Sequence, residues 1–411
     1  MAQATGQKVA LNVLTGWGAE AGPRQGVSLS PDPEPRTRIR PFISVDDHIV
    51  EPRDVFEGRL PARFVEAAPR VVEDEFGNEK WLLEGRQLGT IGLSAVVGRP
   101  EGPEKWTTDP VRFDEMRPGC FDIDERIKDM DQDGVHAQLC FPSLPGFAGS
   151  TFFDMADKEL GHACVQAWND FAIDEWCAAY PERQIPLAIL PYWDADLSTA
   201  EVQRVAAKGA KAVSFTESPH AAGLPSWHSD HWDNLLAAAQ EADLPVCLHF
   251  GSGGAPNVAP DANFAVAIAL FGTNSQFTMT ELLLSPVFHK FPRLKVALSE
   301  GGIGWMPWLL ERIDYTWERH RHYTGCNPDV RPSELFRQHI FGCFIYDDTG
   351  IDVRHRIGVD NIMFESDYPH SDSNWPSSRV VLEKLLADVP DAEARKIAEN
   401  NTRRVFNFPR H

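Results

Sequence analysis

The sequence predicts an α/β protein, a (β/α)8 TIM barrel with an insertion after its first strand and extra helices at its C-terminal end. Three observations point there. Eight short apolar runs recur along the chain, longer amphipathic stretches separate most of them, and ionisable residues gather where the runs end. Continuous apolar strands alternating with helices indicate a parallel sheet covered by helices. Eight such units suggest a closed barrel.

Residues 1–40 are rich in Gly, Pro, Ser, Arg and Glu, and Pro31, Pro33 and Pro35 break any regular element. They read as an N-terminal tail or arm. From Pro41 the pattern changes. The runs are 41–46 (PFISVD), 135–141 (VHAQLCF), 184–189 (QIPLAI), 210–216 (AKAVSFT), 245–250 (PVCLHF), 294–299 (LKVALS), 341–345 (FGCFI) and 361–366 (NIMFES). Helical patterns cover 122–133, 155–180, 197–208, 230–242, 275–289, 304–322 and 349–357, and two more, 376–388 and 391–401, finish the chain. Ser229 or Asp230 is the expected N-cap of the 230–242 helix. The stretch 47–121 breaks the rhythm. It is too long for a plain loop and carries Trp81, Trp106 and a hairpin signal at Glu75-Phe76-Gly77-Asn78. Residues 55–121 therefore read as a lid-like insertion within a barrel that spans 41–411.

Bulk properties bound the function. A formal net charge of −21 argues against nucleic acid or an anionic membrane as partner. The seven cysteines are scattered without CxxC spacing, which reads as reduced, buried thiols. No signal peptide or long apolar span is evident, so the cytoplasm is the expected location.

In a barrel of this kind chemistry sits at the C-terminal ends of the strands. Strand one ends in Asp46-Asp47-His48, strand four in Glu217, strand five in His249, strand six in Glu300, and strand eight in Glu365-Ser366-Asp367-Tyr368-Pro369-His370. Singly, each could be a helix cap or an exposed loop charge. Together, several carboxylates facing one mouth would repel one another unless a cation neutralised them. Asp46 and His48, two apart, face the same side of a strand. His220 is a weak candidate beside Glu217, while His228 and His231 read as loop residues. Arg53 and Arg117 are candidates to meet a substrate carboxylate. Twelve Trp and 24 Phe leave room for an apolar pocket, so a bulky, largely apolar small molecule is the expected substrate.

Four segments, SVDDHIVEP (44–52), HWDNLLAAAQEADLPVCLHFGSGG (231–254), LKVALSEGGIGWMPWLLERID (294–314) and FESDYPHSDSNWP (364–376), resemble the amidohydrolase superfamily. The branch is that of amidohydrolase 2, which includes aminocarboxymuconate semialdehyde decarboxylase. The resemblance implies a (β/α)8 barrel holding one or two divalent metals, with ligands at Asp46, His48, His249 and Asp367, and a homo-oligomer. Two departures stand out. Family decarboxylases carry a catalytic histidine after strand six in an HxGG-like context, where this chain has Glu300 in SEGG. Dinuclear hydrolases of the superfamily use a modified lysine on strand four, where this chain offers Glu217.

If both glutamates bind metal, Asp46, His48, Glu217, His249, Glu300 and Asp367 form a set of two histidines and four carboxylates. Such an oxygen-rich set suits iron or manganese better than structural zinc. The leading expectation is therefore a non-heme di-iron monooxygenase that uses O2 and an electron donor, with His370 near the reaction. The alternative is a hydrolase of an amide, ester or lactone, in which zinc or manganese activates water and Asp367, assisted by His370, acts as general base.

Overall fold

A computed structural model describes residues 29–33, 41–88, 91–92, 94–99, 110 and 112–409. The tail or arm expected at 1–40 lies outside these residues apart from 29–33, as does Trp106. Twelve strands occur among the described residues: β1 (Phe42–Ile49), β2 (Arg70–Glu73), β3 (Glu79–Leu83), β4 (Arg86–Gln87), β5 (Val135–Pro142), β6 (Gln184–Ile185), β7 (Leu187–Ile189), β8 (Ala212–Ser214), β9 (Val246–His249), β10 (Val296–Ser299), β11 (Ile340–Phe344) and β12 (Ile362–Phe364). Each of the eight apolar runs contains a barrel strand. One run is split into β6 and β7 at Pro186, which has no N–H to give to a ladder.

All barrel pairings are parallel, in the orders β1-β5-β6 and β7-β8-β9-β10-β11-β12. Backbone bonds past the end of β12 join it to β1: Asp367 N donates to Asp46 O (2.8 Å) and His48 N to Tyr368 O (2.7 Å). The interior is small and apolar. Ile43, Val45, Ala137, Cys247, Ala297, Phe341, Cys343 and Met363 pack there. Their strand neighbours Val246, Leu248, Val296, Leu298, Ile362 and Phe364 face the helices. This alternation is what carries His249, two residues after Cys247, to the barrel mouth.

β1 needs a further device. Its register advances three residues, Ser44 to Asp47, while β5 advances two, Gln138 to Cys140. The extra residue is a β-bulge, which re-aims side chains and is common beside functional sites. Simple alternation from Ile43 and Val45 would turn Asp47 inward. The bulge turns Asp46 and His48 inward instead.

The helices begin and end where local chemistry allows. Asp122 accepts from Glu125 N (3.0 Å) at the start of Ile123–Asp133, and Gly134, at φ +87°, ends it. Asp194 caps Ala195–Lys208 in the same way. The cap expected at Ser229 or Asp230 is not used. The helix starts at Asp233, which puts Trp232 at the cap position with no side-chain cap, and Asp230 instead accepts from Lys290 Nζ (2.5 Å). The helices Phe264–Leu270 and Pro332–His339 were not legible as periodic stretches.

The segment after β1 folds as a small antiparallel sheet, β2-β3-β4. Asp74 Oδ1 accepts from Phe76 N and Asn78 N, both 2.9 Å, and builds the turn at 75–78. Trp81 and Leu83 bury against Phe56, Phe152 and Trp168. No helix among the described residues is long and apolar enough to cross a membrane.

Packing density predicts one sensitive position. A Cβ at Gly342 would lie 2.5 Å from Met306 Cε and 2.8 Å from Ile303 Cγ2, both on fully buried residues. Overpacking of this kind costs about 1–3 kcal/mol. Gly342→Ala should lower unfolding free energy by about 2 kcal/mol in denaturant titration, and an unchanged midpoint would count against this packing.

Candidate metal centre

Four strand ends meet at the barrel mouth. β1 supplies Asp46 and His48, β9 supplies His249, the turn after β10 supplies Glu300, and the segment after β12 supplies Asp367 and His370. His48 Nε2 lies 3.3 Å from Asp46 Oδ1 and 3.1 Å from Asp367 Oδ1. His249 Nε2 lies 3.4 Å from Asp46 Oδ2 and 3.2 Å from Glu300 Oε2. His370 Nδ1 lies 2.9 Å from Asp367 Oδ1, and its ring stacks on His48 at 3.9 Å. Asp46, His48 and His249 each offer an atom within 4.8 Å of the others, and so do His48, Asp367 and His370.

Glu217 is placed differently. Its Oε1 accepts from Gly251 N (2.7 Å), Gly253 N (3.3 Å) and Asn274 Nδ2 (3.1 Å), so it secures the loop after β9. It belongs to neither ligand group. Arg53 pairs with Glu79, and Arg117 with Asp129 (2.6 Å). Both arginines considered for a substrate carboxylate thus already have acidic partners. His220 and His231 are exposed, with His220 3.7 Å from Glu281 and His231 edge-on to Trp232.

The electrostatics of the mouth are severe. Asp46 is fully buried, and burial, then the charges of Glu365, Asp367 and Asp47, push its carboxyl well above the usual range. Burial, then Asp367 and Asp46, does the same to Glu300. Glu365 is raised by burial and by Asp367. Burial drives His249 down to about 3 and holds His48 low, so both imidazoles are neutral. Burial opposes charge on Asp367 too, but His370 and His48 hold it below the ordinary value. Glu300 and Asp367 also sit at positive φ, +58° and +52°. Side chains seldom adopt that region, and strain of this kind gathers at functional sites.

Whether a divalent cation fits can be asked of the atoms themselves. Both oxygens of Asp46, both of Asp367, both nitrogens of His48 and Nε2 of His249 are buried without a hydrogen-bond partner. Orphaned buried polar atoms are rare and costly. His249 Nδ1 donates to Phe250 O (2.7 Å), which leaves the Nε2 lone pair facing the carboxylates. A carbonyl on the far nitrogen is how metal-ligating histidines are commonly oriented. Mixed carboxylate and imidazole ligands suit manganese or zinc. The residues fit a divalent metal.

Two neighbours were not singled out as site residues. Glu365 accepts from Glu300 N (3.1 Å) and holds the strained turn. Its signal was its position at the end of the eighth apolar run, two residues before Asp367. Phe147 stacks on His249 at 3.8 Å and lies 5.2 Å from His48. It follows β5 in a loop, and no pattern in the sequence marks it.

The family model described as amidohydrolase matches residues 63–408. β1 lies ahead of that range, so its part in the site rests on the geometry. A gamma-resorcylate decarboxylase of Rhizobium sp. (strain MTP-10005) is 25% identical over 325 residues, 72% of this chain and 90% of its own. A 2-amino-3-carboxymuconate-6-semialdehyde decarboxylase of Caenorhabditis elegans is 23% identical over 357 residues, 75% of this chain and 86% of its own. Among solved structures, an amidohydrolase from Mycobacterium avium subsp. paratuberculosis K-10 has TM-score 0.68 at 22% identity, covering 90% of this chain and 99% of that one. A dihydroxybenzoic acid decarboxylase from Polaromonas sp. JS666, solved with manganese and 2-nitroresorcinol, has TM-score 0.59 at 17% identity, covering 91% and 98%. These likenesses give the (β/α)8 barrel fold.

The relatives overturn the leading functional expectation. They are decarboxylases, whose reaction consumes neither O2 nor electrons, so the di-iron monooxygenase with its electron donor is set aside. The alternative hydrolase of an amide, ester or lactone is set aside on the same finding. The physical reason lies partly in Glu217. The iron argument needed four metal-binding carboxylates, and one of them spends an oxygen on backbone N–H groups.

Proposed function

The chain belongs to the amidohydrolase family, and from that premise we propose that it is a divalent-metal-dependent decarboxylase of an aromatic carboxylic acid. The observation that carries the reading is the convergence of Asp46, His48, His249 and Asp367, with orphaned atoms facing one another, beside the ring of Phe147. The decarboxylase relatives, one spanned over 90% of its length, support it.

Asp46, His48, His249 and Asp367 hold the metal in this reading, with manganese or zinc the fitting ions. A divalent cation held there would supply positive charge to attract an anionic substrate and to disperse the negative charge that develops. The chain's own residues do the rest. Phe147 presents an aromatic face, and Ser214 Oγ donates to Phe147 O (2.6 Å) to hold its loop. Phe141 lies edge-on to His249 at 5.0 Å, and Phe250 stacks on Phe271 at 4.8 Å. A planar ring fits such walls.

The reaction breaks one bond, between the ring carbon and its carboxylate. CO2 leaves, and the ring carbon takes one proton. Asp367 and His370 are assigned that proton. Nδ1 and Oδ1 lie 2.9 Å apart, close enough to pass it between them, and His370 Nε2 is buried without a protein partner. Glu300, where family decarboxylases carry histidine, faces His249 and is a neighbour of this pair.

The test is CO2 release from a panel of hydroxylated aromatic acids by manganese-loaded protein. Chelation should cut the rate at least about 100-fold, since a metal supplies several kcal/mol of transition-state stabilisation and 1.4 kcal/mol is tenfold. Added Mn2+ should restore it. A metal-replete protein that releases no CO2 from any such acid rejects the proposal.

A further inference from the structure

We propose that Asp47 is a positioning residue for the metal centre, a carboxylate on the outer face of the barrel that fixes the strand end bearing Asp46 and His48 against the segment bearing Asp367. The inference rests on the metal-binding half of the function proposed above and adds a residue that never touches the ion.

Asp47 sits between two proposed ligands in sequence, yet the bulge in β1 points it away from them. It is wholly buried. Its Oδ1 accepts from Ser366 Oγ (2.6 Å), Tyr368 N (2.9 Å) and Ser44 Oγ (3.1 Å). Ser366 and Tyr368 flank Asp367 on either side. Ser366 N also donates to Ser44 Oγ (2.8 Å). One carboxylate oxygen therefore ties the residues on both sides of Asp367 to the residue between Asp46 and His48.

The other oxygen is tied to the barrel wall. Gln138, on β5, donates from its amide nitrogen to Asp47 Oδ2 (2.7 Å) in the orientation that lets its amide oxygen accept from Arg126 Nη1 (3.1 Å). Arg126, also fully buried, donates from Nη2 to His48 O (2.5 Å) and from Nε to Gly119 O (2.5 Å), and its guanidinium lies 4.3 Å from the Tyr368 ring. The clamp thus runs from β5 through Asp47 and Arg126 to the backbone on both sides of the centre.

Its purpose follows from the electrostatics. Asp46 and Asp367 are buried carboxylates on different strands, and their charges repel until a cation lies between them. Two backbone bonds alone would let those strand ends part. Asp47 collects four donors there, and no neutral side chain of its size can accept all four. An amide at this position would set its NH2 against either Gln138 or the Tyr368 N–H. If Gln138 turned to face that NH2, its oxygen would move from 3.1 to 3.4 Å from Arg126 Nη1, which loosens the clamp on that side.

Partners of metal ligands typically contribute 10–100-fold to metal affinity. Metal-free Asp47→Asn and Asp47→Ala should therefore bind Mn2+ about 10–100-fold more weakly by calorimetric titration. The visible spectrum of the Co2+-loaded variants should shift as the ligand geometry relaxes. Ser366→Ala, which removes one donor and keeps the carboxylate, should fall between them and the unaltered protein, and it serves if the Asp47 variants fail to fold. Gly342→Ala is the control for general destabilisation and should bind Mn2+ with unaltered affinity. Unchanged affinity and an unchanged Co2+ spectrum in Asp47→Asn or Ser366→Ala would overturn the proposal, as would equal weakening in Gly342→Ala. If the unaltered protein itself binds no divalent metal, the metal-centre reading falls and this proposal with it.

Discussion

Asp367→Asn should lower kcat/KM for decarboxylation at least about 1,000-fold. Asp367 joins a proposed ligand to the proton-carrying histidine, lying 3.1 Å from His48 Nε2 and 2.9 Å from His370 Nδ1. Positioned acid–base groups contribute about 10²–10⁴-fold, and this residue is also a proposed ligand. Asparagine keeps the shape, and Asp367 N can still donate to Asp46 O, so the fold should survive. What is lost is the negative charge and the exchangeable proton. His370→Asn separates the two roles. It should cost about 100-fold in kcat while metal content stays full, because His370 shares the proton without being assigned to the ion. Metal content by elemental analysis and kcat/KM on the same preparations decide the matter. An Asp367→Asn enzyme within tenfold of the original, with its metal in place, would remove Asp367 from both roles.

The barrel was legible because its signal is repeated. Each strand is an apolar run, and a parallel sheet covered on both faces leaves no polar alternation to confuse it. The ends of β1, β9 and β12 were legible for a related reason, since an ionisable residue at the end of an apolar run has few places to go. Asp46, His48, His249 and Asp367 meet as their positions suggested. Glu217 and Glu300 show where that reasoning stops. Both follow apolar runs, and their residue type is the same. Glu300 lies 3.2 Å from His249 in a strained turn whose N–H is anchored by Glu365, whereas one oxygen of Glu217 accepts from Gly251 and Gly253 N–H groups that no periodicity reveals. The bulge in β1 was equally hidden, because register belongs to a pair of strands and not to one. The reaction itself was misjudged for a different reason. Ligand composition limits the metal but leaves open which bond it helps to break.

The metal-free protein should lose stability as pH rises from 6.5 to 8, and far more steeply than the loaded protein. The sign follows from which state holds more protons. Asp46, Glu300 and Glu365 have folded pKa values raised well above their unfolded values. Their contribution is full below the unfolded value and is lost as pH climbs through the folded one. Glu217, raised to about 8, and Asp47 and Glu51, each to about 7, act in the same direction. His48 and His249 are depressed, so their contribution is lost as pH falls below about 6.5 and is complete above it. Above pH 6.5, then, the raised carboxylates dominate. Each proton that the folded state retains and the unfolded state lacks costs about 1.4 kcal/mol per pH unit. A bound cation removes the reason for Asp46 and Glu300 to keep their protons, because it supplies the charge they lack. Glu217 and Glu51 stay as they were, so the loaded protein should retain only a shallow decline. Melting temperatures across this range, with chelator and with Mn2+, give the two slopes directly. Parallel slopes would mean that the carboxylates at the barrel mouth ionise without a metal, and the argument from their mutual repulsion would fail.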